Sequence, residues 1–487
     1  MIIIGRKYEQ SILQRIYSSA QAEFLAIYGR RRVGKTYLIK RFFEKKAEHC
    51  FFVTGVKDAK LSEQLHSFTL VVEKTFYANG TKLKVPRTWM QAMELLTTAF
   101  TQAQGTNKIV LFLDEIPWLA TKKSRFLQAL DYYWNTRWSD NPRILLIVCG
   151  SAASWVIANI INNKGGLHNR ITAQIRLDPF TLSETKEFLA YINITLNDKQ
   201  ILSIYMAMGG VPHYLKQLQP GLSAVQNIDH ICFTNNGLLF KEFKNLFYSL
   251  FNDADVCIDI IRKIAQHRNG VDRSTLLKKL KNYSGGRFNK RIQELAEAGF
   301  ITIVTPYGHQ VRGQFYRIID EYTLFYLHWI EPHTNNIKHQ DIPSKYWDAL
   351  SLSPAWNSWS GLAFEAVCFK HISKIRNALS ISVTAQIGSW RYVPRKQIAE
   401  QGTQIDLLFD RDDDTITLCE IKYTDKPFQI DKQYRQALEN KIAIYKKHNN
   451  TDKQIFMAMI TSAGLKANAY SEGFITNQVT LEDLYSN

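Results

Sequence analysis

Phe24-Leu25-Ala26-Ile27-Tyr28, followed directly by Gly29-Arg30-Arg31-Arg32-Val33-Gly34-Lys35-Thr36, decides how the N-terminal part of this chain folds. The apolar run reads as a buried strand, and glycine, four residues, then glycine-lysine-threonine is the Walker A pattern. Its glycines let backbone N–H groups turn inward around phosphates, where a Cβ would collide. Lys35 reaches the β and γ phosphates as a point charge, and Thr36 offers its hydroxyl to Mg2+. Leu38, Ile39, Phe42 and Phe43 then keep helical spacing, so a helix begins here and aims its positive end at the anion.

A second half-site lies further along. Ile109-Val110-Leu111-Phe112-Leu113 ends in Asp114-Glu115, a buried strand delivering two carboxylates where α/β sheets bind ligands. Asp114 is expected to hold magnesium through water, and Glu115 to polarise the attacking water as general base. Cys50–Thr54 and Ile144–Val148 read as further parallel strands. Their alternation with helical patterns predicts a multidomain α/β protein with a P-loop nucleotide hydrolase core over 1–180.

Strand signals vanish over 181–250, which predicts a helical lid. Residues 251–330 read as a winged helix-turn-helix. Ile260, Ile261, Ile264, then Leu276, Leu277, Leu280, then Phe288, Ile292, Leu295 mark three helices, the last opened by Ser284 and closed by Gly299. Phe300–Val304 and Gln314–Ile319, joined through Tyr307 and Gly308, would form the wing. The polar stretch Pro332–Pro343 places a linker over 331–359, and a last α/β domain occupies 360–487. The start, Met1 to Lys7, reads as an edge strand or lead-in, too quickly charged for a secretory signal.

The net charge of +17 points to a polyanionic partner, because Lys and Arg release counterions from phosphates. Seven basic and no acidic residues lie from Arg273 to Arg291, Lys281 among them. Arg287, Lys290 and Arg291 are expected on the exposed face of a recognition helix, in contact with DNA. No apolar run approaches the length of a membrane span. The six scattered cysteines lack zinc-site spacing and suit a reducing cytoplasm. Oligomeric state stays open.

Gly5-Arg6, the loop at 29–36, Leu113-Asp114-Glu115-Ile116-Pro117-Trp118, Cys149-Gly150-Ser151 and Met208-Gly209-Gly210-Val211-Pro212 together resemble the archaeal-type ATPase family of AAA-like and STAND-like P-loop proteins. The resemblance implies ATP as the nucleotide. It places Gly5 and Arg6 near the adenine, makes Ser151 a polar sensor, and has Pro212 report nucleotide state to the lid. Arg170 stands where that family carries an arginine, but the preceding residues read Leu167-His168-Asn169 instead of Leu-Tyr-Gly. A sensing arginine and a surface arginine both remain open for it.

Gln404-Ile405-Asp406-Leu407-Leu408-Phe409, a turn at 410–414, and Thr415–Lys422 read as a β-hairpin bringing Asp406 level with Cys419 or Glu420. Glu420 and Lys422, two apart, share a face. Burying such charges is costly unless they bind something. Magnesium between Asp406 and Glu420, with Lys422 beside the attacking water, suits phosphodiester cleavage. The pattern resembles the restriction-endonuclease-like PD-(D/E)XK fold, which implies Glu365 as its helical acid, although Ile405 replaces the usual proline. The leading reading is an ATPase controlling a DNA-binding or nuclease-like module. The alternative is a nucleotide-driven switch or scaffold whose nuclease fold is inactive.

Overall fold

The computed structural model describes residues 2–121, 123–162, 165–167, 169–268, 270–280, 285–305, 307, 313–339, 345–392, 394 and 402–486. Met1, His168, Lys281, Ser284, Gly308 and Pro343, each used above, lie outside them. The chain divides into two compact units. One holds 1–179 with 250–252 and 293–299, and the other holds 180–249, 253–292 and 300–487.

The first unit is built on five parallel strands, β1 (Glu23–Tyr28), β2 (His49–Thr54), β3 (Ile109–Asp114), β4 (Ile144–Gly150) and β5 (Ala173–Arg176), in the order β2-β3-β4-β1-β5. Every residue of β3 and β4 is buried, as a sheet covered on both faces requires. Alternation splits them between two cores. Ile109, Leu111 and Leu113 join Trp89, Met93 and Trp138 on one face, while Val110 and Phe112 join Leu38, Ile39 and Phe43 on the other. Because the strands are parallel, the ends of β1, β3 and β4 that precede Gly29, Glu115 and Ser151 share one edge. Residues 2–4 form no strand. Gly5 and Arg6 instead lead into a helix, Lys7–Tyr17.

The second unit begins with helices Leu182–Tyr191, Asp198–Met208, Pro212–Leu215, Ala224–Cys232 and Leu238–Leu250. Helices Ala254–Ala265 and Arg273–Lys279 follow, with Gly285–Glu297, whose residues from 293 on are grouped with the first unit. With them comes a small antiparallel sheet of β6 (Val271–Asp272), β7 (Ile301–Val304) and β8 (Phe315–Ile318), ordered β6-β8-β7. The C-terminal sheet contains β9 (Gln386–Tyr392), β10 (Thr403–Asp410), β11 (Thr415–Lys422), β13 (Gln454–Thr461) and β15 (Ile475–Val479), ordered β15-β13-β11-β10-β9. The short pair β12 (Phe428–Gln429) and β14 (Leu465–Lys466) stands apart. β9, β10 and β11 are antiparallel neighbours, and β11, β13 and β15 run parallel. Among the described residues no helix is long and apolar enough to cross a membrane.

The described parts of the stretch expected as a linker are packed. Helices Thr334–Lys338, Tyr346–Ser351 and Pro354–Lys370 occupy it, with Ile337, Trp347, Trp356 and Trp359 buried. Trp347 stacks on Phe233 at 5.4 Å between ring centres and meets Phe325 and Trp356 edge-on. Its backbone N–H donates to Asp229 at 2.7 Å. Polar residues in sequence between the tryptophans masked an aromatic core. Replacing Trp347 with Ala should lower stability by about 3–5 kcal/mol, read from the urea midpoint of unfolding.

Candidate functional site

The loop after β1 owes its shape to two glycines. Gly29 has φ +142, and a Cβ there would lie 2.2 Å from the Leu177 carbonyl oxygen; Gly34 has φ +96. Lys35 is buried at 6% exposure, and its Nζ donates to the carbonyls of Gly29 at 2.9 Å and Arg30 at 3.0 Å. Arg6, in left-handed backbone beside Gly5, is also buried and donates to the Val33 carbonyl at 3.4 Å, with Glu9 at 3.6 Å. Arg6 thus lies against the loop that also contains Arg30, Arg31 and Arg32.

Thr36 donates its hydroxyl to Asp114 Oδ2 at 2.8 Å, joining the loop to the tip of β3. Asp114 Oδ1 accepts the Glu115 N–H at 3.0 Å. Glu115 itself has φ +48, a conformation costing a non-glycine residue about 1–3 kcal/mol and characteristic of working sites. That turn aims its carboxylate at Ser151, whose hydroxyl donates to Oε2 at 2.9 Å and whose N–H donates at 3.2 Å. A hydroxyl and a carboxylate already in contact at a phosphate-type loop are a donor set that fits Mg2+. Arg170 is exposed, with its N–H bonded to the Leu167 carbonyl. Pro212 opens the helix Pro212–Leu215 in the second unit.

The C-terminal site is built on the β10–β11 hairpin. Leu407 pairs with Cys419, so one step further brings Asp406 level with Glu420. Opposite β9, the register of β10 shifts between Ile405 and Leu408, an irregularity of the kind that re-aims a side chain. Asp406 is 9% and Glu420 5% exposed. Asp406 Oδ2 accepts the Ile421 N–H at 3.2 Å. Glu420 is ringed by donors. Lys422 lies 3.0 Å and the Tyr434 hydroxyl 2.8 Å from Oε1, and Lys441 lies 2.5 Å from Oε2.

Burial pushes the Asp406 carboxyl well above its ordinary range, reinforced by the charges of Glu420 and Glu365. Burial works the same way on Glu420, but Lys441 and Lys422 outweigh it and hold that carboxyl low. For Lys422 burial disfavours the charge, and Glu420 more than compensates, raising its pKa. Tyr434 and Lys441 were missed in the sequence. The signal was there: Tyr434, Leu438, Lys441 and Tyr445 recur at helical spacing on Lys432–Asn449, so a lysine sits on a stripe whose Leu438 and Tyr445 are buried.

Two expectations need correction. Glu365 does not complete a three-acid metal group, because Arg317 of β8 donates to its Oε2 at 2.8 Å with both side chains largely buried. Among the described residues no cluster of three metal-ligating side chains exists. Asp406 and Glu420 still fit a hard cation that completes its shell with water, as Mg2+ does. Arg291 is not on an exposed face. Its side chain is 11% exposed and pairs with Asp253 at 3.4 Å, since position 291 adjoins the buried Phe288–Ile292 stripe. Arg287 and Lys290 are exposed.

A glycine loop after the first strand, a lysine behind it and an acidic tip on β3 define a P-loop nucleotide hydrolase. Residues 4–218 match the model of an ATPase domain predominantly from Archaea, and residues 371–485 match that of the type II restriction endonuclease HinfI. The chain thus carries an ATPase domain of the archaeal type over 4–218 and a restriction-endonuclease-like domain over 371–485. It is 25% identical over 447 residues to an uncharacterized protein of Methanocaldococcus jannaschii, covering 89% of this chain and 90% of that one. An uncharacterized ATP-binding protein of the same organism is 46% identical over 46 residues, 9% of this chain and 78% of that one. Among solved structures, the Walker-type ATPase of Pyrococcus abyssi is similar at TM-score 0.47 and 16% identity, covering 67% of this chain and 96% of its own. The Aeropyrum pernix ORC2 protein in ADPNP–ADP complexes is similar at TM-score 0.43 and 14% identity, covering 72% and 95%.

The raised Asp406 pKa has a consequence for stability. The folded chain holds that proton more tightly than the unfolded chain, so the contribution is full below the unfolded value of about 3.9 and is lost as pH rises toward the raised one. In EDTA, the urea midpoint should fall as pH increases from about 4. Asp406→Asn should flatten that slope.

Proposed function

We propose that the chain binds ATP with Mg2+ at the loop Gly29–Thr36, hydrolyses it, and uses the nucleotide cycle to govern a metal-dependent phosphodiester-cleaving centre acting on DNA. The contact of Thr36 with Asp114, beside Glu115, carries the first part. Lys35 exchanges the carbonyls of Gly29 and Arg30 for phosphate oxygens. Thr36 and, through water, Asp114 would hold magnesium, which supplies charge neutralisation at the β and γ oxygens. Glu115 orients the attacking water and takes its proton, with Ser151 fixing the carboxylate.

For the second part the supporting observation is the buried group Asp406, Glu420 and Lys422 within a domain matching a restriction endonuclease. The two acids would hold magnesium, which supplies Lewis acidity at the phosphate. Lys422 orients the attacking water. In this reading 1–180 is the ATPase core, 181–250 the lid, 251–330 a winged helix-turn-helix and 360–487 the nuclease-like domain. Three helices with the β6-β8-β7 sheet support the winged helix, and exposed Arg287 and Lys290 support phosphate contact.

The proposed coupling draws support from contacts within the second unit. Gly209 has φ +66, and a Cβ there would come 2.8 Å from Glu321 Oε2. Glu321 accepts from Lys370 at 2.6 Å, on the helix that also carries Glu365. Next to it, His371 accepts the Leu182 N–H at 3.0 Å, and β8 supplies Arg317 to Glu365. The Gly-Gly-Val-Pro element, the helix Leu182–Tyr191 and β8 therefore all bear on one helix. The alternative, a switch or scaffold without cleavage, draws support from the same ion pairs, since Arg317 and Lys441 already neutralise Glu365 and Glu420.

Lys35→Ala should weaken nucleotide binding about 10- to 100-fold by calorimetry. Glu115→Gln should bind ATP normally and hydrolyse it about 10²–10⁴-fold more slowly in a phosphate-release assay. Incubated with plasmid, ATP and Mg2+ or Mn2+, the chain should nick or cut the DNA, and Asp406→Ala should abolish this. Cleavage that survives in Asp406→Ala contradicts the assignment, and no cleavage by the native chain selects the scaffold reading.

A further inference from the structure

Among the described residues, the two carboxylate oxygens of Glu420 meet three donors. The Tyr434 hydroxyl and Lys422 share Oε1, and Lys441 alone takes Oε2 at 2.5 Å. The two lysines are not equivalent. Lys422 is 34% exposed and rests 5.5 Å from the centre of the Tyr434 ring, so it keeps a favourable environment if its carboxylate partner is engaged elsewhere. Lys441 is 16% exposed and projects from a helix whose Leu438 and Tyr445 are buried. Its neighbour Glu439 is committed to Arg435 at 2.9 Å. Asp406, the other acid that Lys441 influences, belongs to the same centre.

A divalent cation on Asp406 and Glu420 competes directly with the Lys441 ammonium. Both are positive and both seek the same oxygens, and a partly buried ammonium left without an anion is costly. Lysine carries a compact charge and three donors on a flexible stem, which lets it turn to a new acceptor nearby. At a phosphodiester-cleaving centre the incoming anion is the nucleic-acid phosphate.

We propose that Lys441 is a phosphate-binding residue of the C-terminal site, releasing Glu420 to the metal and taking a phosphodiester oxygen of DNA in exchange. The idea rests on the nuclease reading of this site and adds a residue and a ligand contact to it. It makes two effects of opposite sign. Loss of the Lys441 charge removes a competitor for the metal, yet also removes a partner for the phosphate. A lysine that merely braced the fold would weaken both.

The test uses the full chain. Mn2+ binding is measured by calorimetry, and binding of a fluorescein-labelled 20-base-pair DNA duplex by anisotropy, once in Ca2+ and once in EDTA. Lys441→Met should bind Mn2+ about tenfold more tightly and bind the duplex about tenfold more weakly in Ca2+, with less than about a twofold change in EDTA. Lys441→Arg should keep duplex affinity in Ca2+ within about threefold of the native chain. Circular dichroism reports folding, and if Lys441→Met unfolds, Lys441→Gln must give the same pair of shifts. Unchanged or weaker Mn2+ binding in the neutral variant, or an equal loss of duplex binding in EDTA and Ca2+, overturns the proposal. If Asp406→Asn abolishes Mn2+ binding in that case, the nuclease reading survives. Absence of any Asp406-dependent Mn2+ binding in the native chain removes both.

Discussion

A carboxylate taken out of water loses several kcal/mol of hydration unless donors or cations replace the lost solvent. That constraint organises both sites of this chain. At the tip of β3, Asp114 is compensated by the Thr36 hydroxyl and a backbone N–H, and Glu115 by the hydroxyl and N–H of Ser151. These are neutral donors. No side-chain cation takes part in these contacts of either acid among the described residues. In the C-terminal hairpin the compensation is by charge, with two lysines on Glu420 and an arginine on Glu365, while burial raises the pKa of Asp406. The two chemistries differ in what an incoming metal must displace.

The surrounding architecture follows from how strands present their ends. A parallel sheet brings every C-terminal strand end to one edge, so the lysine after β1 and the acids after β3 share an edge although β4 lies between their strands. An antiparallel hairpin brings two carboxylates together in a different way, by register, and an irregularity opposite β9 marks where Asp406 sits. The helix Pro354–Lys370 connects these local rules in the second unit. It carries Glu365 and Lys370, each already paired, and is anchored by Trp356 and Trp359 in an aromatic cluster with Trp347 and Phe325.

Much of the nucleotide site was legible because its residues are adjacent in sequence and each has one physical reason to be there. Glycines at 29 and 34 and a lysine at a helix start can be read without knowing the fold. The strand preceding Asp114 is equally plain, since the five buried residues Ile109–Leu113 leave no polar position to confuse the pattern. Turn length placed Asp406 opposite Cys419 or Glu420, and the observed register decided for Glu420. Lys441 was harder, because a lysine on a helix is ordinarily solvated and only its place between Leu438 and Tyr445 betrayed it. Arg317 carried no signal, as its partner lies 48 residues away in another element.

The sequence by itself determined the phosphate loop, the acidic strand tip, the α/β character of the core and the hairpin with its two acids, because each is encoded by spacing within one or two neighbouring elements. Tertiary structure decided which cations sit on which carboxylates, that Arg291 turns toward Asp253, and that residues 334–338, 346–351 and 354–359 pack as helices, the later two bearing buried tryptophans. Those outcomes depend on long-range contacts whose free energies arise only when distant segments are brought together and desolvated. Local propensity and periodicity do not contain that information.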